Sequence, residues 1–574
     1  MKNNINKISY VLSGKYNFKL ILILFLTLVM TFLELFSIAL VIPLISSLIG
    51  SSDSFFLSEY LKDYFEFTGD KFVILSLIFF ISIFIIKSFF LVFFNAVRIK
   101  FAYNLYLDLS NKLFKNYLFR DYASFIKQNS SKFIRNVSGE CNIFSFGVIS
   151  CYIALISELI IVTSISVFLL YYSFFSSLFV ITFIIILSGL ILKLTHNKFK
   201  YWGDIRLKYT SKILQNLQES YGYIKEIIFS ASQNYFLNRH FDSNNHNNQA
   251  SIKRDIYSSI SRPILETITL IAFFILIILS LLFLDEKKED IVVLIGVIFF
   301  ASIKVLPSIT QIIESIQSLK FNTASVDTLY DEFKYQNRNF KKQDTKKLKK
   351  NFSRLNLKNV NFSYDGDNKK SIFKNLNFEI KKNDKIGIMG KSGGGKTTFL
   401  NLISGLLTPT SGEIYIDKSP LRLVINQWKK NIGYVHQNVF LADDTILFNL
   451  TLKKNVSKKE LTKIRRILKI VELDKHINTL ENGLFTDVGE RGSKLSGGQS
   501  QRLGIARALF RDNQILIFDE ATSALDEETQ QRILRSIYRN MKEKTVITVS
   551  HRVNTLKFCK KIYKLTDKSI KKIN

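Results

Sequence analysis

Apolar residues fall into long runs over the first 313 positions and into short, strand-sized runs after about residue 353, so the two parts of the chain predict different architectures. Phe18 to Gly50 is broken only by Lys19, Glu34 and Pro43, and Phe72 to Ile99 forms a second run. Each exceeds the roughly 20 residues that cross about 30 Å of hydrocarbon. Ile143 to Leu194 has Glu158 and Lys193 as its charged residues, and its length suits two crossings joined near Tyr171, Tyr172 and Ser173. Ile264 to Leu284 and Ile291 to Ile313 complete six predicted spans. The first run is too long for a removable signal peptide and lacks a small-residue exit, so the spans themselves direct insertion.

Charge sorts the connections. Acids dominate the loop after span one (Asp53, Glu59, Asp63, Glu66 and Asp70 against Lys62) and flank the short DEKKED turn before span six, whereas the long second-to-third and fourth-to-fifth connections are rich in Lys and Arg. Positive charge stays inside, which predicts that these two long loops, both termini and the C-terminal part are cytoplasmic. Within the first outer loop, Leu57, Tyr60, Leu61, Tyr64 and Phe65 form a helical stripe across Leu57–Phe67 suited to a membrane interface or to packing on the spans. The expected division is a six-helix membrane domain over 1–335, a lysine-rich linker over 336–352 containing KKQDTKKLKK, and an α/β domain over 353–574.

The C-terminal part holds the chemistry. Gly390, Lys391, Ser392, Gly393, Gly394, Gly395, Lys396 and Thr397 fit G-x-x-x-x-G-K-[ST], followed by Thr398. In that pattern small residues let backbone N–H groups face the phosphates of a nucleotide, and the lysine supplies a point charge. DKIGIM (Asp384–Met389) upstream reads as a buried strand, and Thr398–Leu406 as a helix whose N-terminus faces the anion. ILIFDE (Ile515–Glu520) is an apolar strand ending in two acids, which sets a carboxylate at the strand end where α/β sheets bind ligands. There Asp519 would share Mg²⁺ with Thr397, and Glu520 would polarise an attacking water. LSGGQ opens a second helix, so Ser496, Gly497, Gly498 and Gln499 present a further phosphate site. One small domain has little use for two such sites on one nucleotide, and the second is explained if it completes the nucleotide of a partner chain.

With these motifs in place, the region from about Leu355 onward resembles the nucleotide-binding domain of ATP-binding cassette transporters. That resemblance implies ATP and Mg²⁺ as cofactors. It also implies adenine stacking by Tyr364 (NFSY), Mg²⁺ sensing by Gln437, coupling of the two halves by Asp526 (SALD) and a γ-phosphate contact by His551 (SHR). His436 stands where proline is common, and Ser500 where a longer polar residue is usual. Long inner loops and short outer ones resemble the exporters of this family, with Tyr122–Lys127 and Glu226–Ser232 as candidate coupling helices and TDVGERG as a segment facing the membrane domain. One membrane domain and one ATPase per chain imply a homodimer or pairing with a paralogue.

A net charge of +32 raises nucleic acid as a partner, but the lysines are dispersed and no basic aromatic face stands out, so nucleic-acid binding is not expected. Cys141, Cys151 and Cys559 are too widely separated in sequence to suggest a disulfide or metal framework. The cargo is addressed by Lys87, Arg262 and Lys304, all in the inner half of the spans. A charge there is costly against lipid. Two readings stay open: the cations snorkel or pair with Glu34, Glu158 and Glu266, or they line a wet cavity that captures an anionic headgroup. LELFSIALVIPLISSL, SEYLKDYFEF, SRPILE and IKVLPS resemble the bacterial flippases of lipid-linked oligosaccharides. This implies a polyprenyl-diphosphate-linked glycan flipped from the cytoplasmic to the outer leaflet of a bacterial inner membrane. Export of another lipid or a peptide, and an ATP-gated channel or regulator, are the alternatives.

Overall fold

The computed structural model describes residues 2–42, 45, 70–283, 288–339, 348, 352–364, 371–391, 393–566 and 569–573. The Leu57–Phe67 stripe, Ser392 and the Lys341–Lys350 linker apart from Leu348 lie outside the described residues. The chain divides into two compact units, residues 1–120 with 125–338, and residues 121–124 with 339–574.

The first unit is all helix. Among the described residues, six stretches are long and apolar enough to cross a membrane: Asn17–Ala39, Leu77–Leu118, Ile143–Tyr172, Phe174–Gly222, Gln233–Ile278 and Ile295–Phe321. In hydrocarbon every backbone group must be satisfied within the segment, which is why these runs are helical. The third and fourth meet where Ser173 turns extended (φ −149°, ψ 102°), at the position the sequence suggested. Small residues bring helices close: a Cβ on Gly203 would collide with the Phe321 carbonyl of the last span, and one on Gly147 would lie 2.7 Å from Asn322 Nδ2. The candidate coupling segments are short helices, Tyr122–Ile126 and Ile224–Phe229; the second sits two residues earlier than expected and is closed by Ala231 in a left-handed conformation (φ 49°).

Sequence reading missed an N-terminal helix, Lys2–Leu12. It buries Ile8, Val11 and Leu12 in a core shared with Val326, Leu329 and Phe333, and Lys7 pairs with Asp327 at 2.6 Å. The run from Asn136 to Ile149 is also unusual. Its helix widens to π geometry over Asn136–Glu140 and Ile143–Ile149. Fully buried Glu140 lies 3.7 Å from Arg135 and 3.4 Å from Arg206, and nearby Arg120 pairs with Glu332 at 2.6 Å. Losing one member of such a buried set costs about 3–5 kcal/mol, because a charge is left alone.

The second unit is α/β. Strands β1 (Arg354–Phe362), β2 (Phe373–Lys381), β4 (Ser411–Ile416) and β5 (Ser419–Pro420) form an antiparallel sheet in the order β2-β1-β4-β5. Strands β3 (Lys385–Gly390), β6 (Ile432–Val435), β7 (Ile515–Asp519), β8 (Thr545–Val549), β9 (Lys561–Thr566) and β10 (Ser569–Lys572) form a sheet ordered β10-β9-β3-β8-β7-β6, parallel except at β10. Every residue of β7 and β8 is buried, as central parallel strands require. Phe373, Phe378, Phe399, Leu400, Ile386 and Ile388 pack the two sheets together around the helix Lys396–Ile403. A second core joins helices Lys458–Ile470, Gly497–Phe510 and Glu527–Asn540. This architecture of a six-helix N-terminal domain followed by an α/β domain is the one anticipated from the sequence.

Candidate functional site

The C-terminal ends of β3, β7 and β8 converge because these strands are parallel neighbours, with Ile388 opposite Val549 and Asp519 opposite Val549. Ligands of α/β sheets gather at such an edge. After β3 the loop turns through Gly393 (φ 76°) and Gly395 (φ 88°) into the helix at Lys396, two residues before the predicted start. A side chain at Gly395 would be strained twice, by its left-handed backbone and by Ile372 Cγ2 at 2.9 Å. Gly393, Gly394 and Thr397 are exposed around the opening of this loop. Lys396 donates to the carbonyls of Gly390 (2.9 Å) and Lys391 (3.0 Å), so its ammonium lies across the loop that the motif assigns to phosphate.

Glu520 follows β7 with φ 48°, its N–H donates to Val549 O (3.1 Å), and its carboxylate lies beside Lys396 of the phosphate loop. Gln437 Nε2 donates to Glu520 Oε2 at 3.1 Å; Lys396 Nζ lies 3.9 Å and His551 Nδ1 3.5 Å from Oε1. The structure thus brings Lys396, Gln437 and His551 to the Glu520 carboxylate. Asp519, 8% exposed, accepts from Tyr434 Oη at 3.0 Å through Oδ2. Burial lifts its carboxyl above the usual range, and burial likewise raises the Tyr434 phenol. Tyr434 was not singled out from sequence; its place at the next-to-last position of the neighbouring strand β6 is the signal. His436 packs on the Tyr434 ring (4.3 Å between centroids), and burial lowers its imidazole below the ordinary value.

The remaining predicted residues stand further out. Tyr364 packs edge-on to Phe362 and its hydroxyl meets Thr398 Oγ1 at 3.1 Å. Ser496 caps the helix Gly497–Phe510 in a reciprocal box: Gln499 N donates to Ser496 Oγ (3.2 Å) and Ser496 N to Gln499 Oε1 (2.8 Å). The Ser496 hydroxyl proton is left to donate outward, and Gly497 and Gly498 form the first turn behind it. Asp526 caps helix Glu527–Asn540 by accepting from Thr529 N (2.8 Å), which holds its carboxyl below the usual range. Thr397, Asp519 and Gln437 offer hard oxygens suited to Mg²⁺ alongside phosphate, whereas no group of three His, Cys, Asp or Glu among the described residues could hold a metal unaided.

In the membrane unit, Lys87 and Lys304 come together and Arg262 does not join them. Lys87 pairs with Glu34, whose other oxygen is 3.9 Å from Lys304. Lys87 also donates to buried Ser37 at 3.4 Å, and both ammoniums lie over the Phe84 ring, at 5.2 and 5.5 Å from its centroid. Arg262 is largely exposed and pairs with Glu266 one turn away at 2.7 Å. Phe84 also lies on an open, shallow apolar groove of about 430 Å³ along one exposed face of the second span, with Phe80, Ile81, Ile85, Ser88, Phe89 and Val92.

Comparison with known proteins agrees with this geometry. Residues 20–307 match the family model described as the ABC transporter transmembrane region, and residues 373–523 that of the ABC transporter. An ATP-dependent lipid A-core flippase of Pectobacterium atrosepticum is 28% identical over 80% of this chain and 78% of its own. The chloroplastic ABC transporter B family member 29 of Arabidopsis thaliana is 33% identical over 46% of this chain and 41% of its own. A solved bacterial Atm1-family ABC exporter with ATP bound superposes with a TM-score of 0.72 at 19% identity, covering 97% of this chain and 95% of that one. The chain belongs to the ABC transporters: it is a multi-pass membrane protein of exporter fold that binds ATP and couples its hydrolysis to transport.

Proposed function

We propose that the protein is a homodimeric flippase of a bacterial cytoplasmic membrane, moving an amphipathic anionic lipid from the cytoplasmic to the outer leaflet. The cargo class we assign is a polyprenyl-diphosphate-linked oligosaccharide. The observation that carries this reading is the meeting at Phe84 of a lysine pair and an open apolar face of the second span. Such a junction suits a molecule with an anionic head and a hydrocarbon tail. The positive-inside pattern supports cytoplasmic termini and a cytoplasmic ATPase. The flippase named for lipid A-core among its relatives supports a lipid cargo, and makes a lipid A-type anion the second reading.

In the cycle we infer, the ATP phosphates rest on the amides of Gly393 to Thr397 with Lys396 against them. Mg²⁺, held by Thr397, Asp519 and Gln437, would neutralise phosphate charge. Glu520 accepts the proton of the attacking water. His551 sits beside that carboxylate at 3.5 Å, near enough to contact the γ-phosphate. Ser496 and the amides behind it complete the nucleotide of the second copy, with Asp526 at the seam and Tyr364 against adenine. Tyr434 holds Asp519 in place by its hydrogen bond.

The test is ATPase stimulation and leaflet movement in proteoliposomes holding polyprenyl-diphosphate oligosaccharides, lipid A precursors or peptides in turn. Stimulation and unidirectional movement by the first class alone support the assignment. Response to lipid A precursors alone moves the cargo to the second reading, and response to peptides alone overturns both.

A further inference from the structure

The two lysines are not presented bare. Glu34, 8% exposed on the first span, joins Lys87 of the second to Lys304 of the sixth, so two ammoniums share one carboxylate. Lys87 is 7% exposed, while the Lys304 side chain is 28% exposed. Ser37, fully buried one turn along from Glu34, adds a hydroxyl to Lys87 while itself donating to the Glu34 carbonyl at 2.7 Å. The Phe84 ring lies under both ammoniums and continues into the apolar groove. The cluster is therefore pre-assembled, keeps one positive charge in excess, and is most open at Lys304.

We propose that Glu34 is a specificity-determining residue: an internal anion that holds Lys87 and Lys304 in place before cargo arrives and competes with the cargo's headgroup for them. This rests on the anionic-lipid reading above. A buried charge is expensive to leave unpaired, so Glu34 keeps the lysines tolerable in the empty state. The same carboxylate repels any incoming anion, so only a headgroup that replaces its contacts in full gains from binding. Each copy brings an excess of one positive charge, two for a pair, which suits a doubly charged diphosphate better than a monophosphate. An uncharged head leaves the Glu34 pairs unchanged and gains nothing.

The experiment compares wild type, Glu34→Gln and the charge-restoring double variant Glu34→Gln with Lys87→Gln, each reconstituted with polyprenol, polyprenyl monophosphate, polyprenyl diphosphate or lipid A. Glu34→Gln is expected to lower the half-maximal concentration for ATPase stimulation about tenfold for anionic lipids, to leave polyprenol without effect, and to narrow the preference of diphosphate over monophosphate. The double variant returns toward the wild-type preference. An unchanged or raised half-maximal concentration in Glu34→Gln overturns the competition. A wild type that responds to lipid A but not to the prenyl series removes the oligosaccharide reading, and the Glu34 shift is then read with lipid A. If no lipid stimulates, native mass spectrometry of the intact protein in cardiolipin-containing micelles counts retained anionic lipid: more on Glu34→Gln supports the inference, and equal counts overturn it.

Discussion

Replacing Glu520 by glutamine is the most direct perturbation of the ATP site, because it keeps the side chain's shape and removes its ability to take a proton. Glu520 lies 3.9 Å from Lys396 Nζ, 3.5 Å from His551 Nδ1 and 3.1 Å from Gln437 Nε2, and only 16% of its side chain is exposed. General-base catalysis contributes about 10²–10⁴ in rate, or roughly 2.7–5.4 kcal/mol of barrier. The ground state moves the other way. A carboxylate 3.9 Å from an ammonium attracts it by about 4 kcal/mol gross at an effective dielectric constant near 20, and removing it leaves Lys396 to the incoming phosphate. Glu520→Gln should therefore hydrolyse ATP at least about a hundredfold more slowly while binding it as tightly as wild type or tighter. The assay pairs steady-state phosphate release with retention of radiolabelled ATP and with thermal shift, where bound nucleotide raises the midpoint. Hydrolysis within about threefold of wild type would refute Glu520 as the base, since that is far less than the range expected for losing one.

Other expectations follow from single contacts. Ser496→Ala removes the cap hydrogen bond to Gln499 N, about 1 kcal/mol of local stability, and with it the outward donor; ATPase should fall about 10²-fold with little change in melting. Mixing Ser496→Ala chains with Glu520→Gln chains should restore activity if each site takes one residue from each copy, whereas mixtures no better than either parent would exclude such shared sites. Gly203→Leu should destabilise the membrane unit by more than about 1–3 kcal/mol, read as lost detergent-resistant folding, because the Phe321 carbonyl occupies the space. Glu460, whose carboxyl is pulled down to about 2 by Lys453 and Ser457, contributes stability that is complete above its unfolded value near 4.5 and is lost as pH falls through about 2. Glu460→Gln should thus lower the melting temperature at pH 7 and make little difference at pH 2.

The phosphate loop, the two acids closing β7 and the signature helix were legible because their chemistry forces particular residue types into adjacent positions. The six spans were legible because hydrocarbon imposes length and composition. The helix Lys2–Leu12 was not read, although Ile8, Val11 and Leu12 follow i, i+3, i+4 spacing; its stability comes from a core most of whose other members lie at positions 94–153 and 319–333. Tyr434 escaped for a similar reason: its bond to Asp519 depends on which strand neighbours β7. Pairing of Lys87 and Lys304 on Glu34 was one of two readings the sequence left open, and only the packing of three spans distinguishes it from pairing with Glu158.

The left-handed backbone at Glu520 has a consequence for durability. A side chain other than glycine or asparagine held at φ 48° costs about 1–2 kcal/mol. Glycine there would relieve that backbone strain while giving up the carboxylate's contacts with Lys396, Gln437 and His551. On the catalytic role proposed above, the strained backbone at Glu520 is what the fold accepts to set a base beside Lys396 and His551.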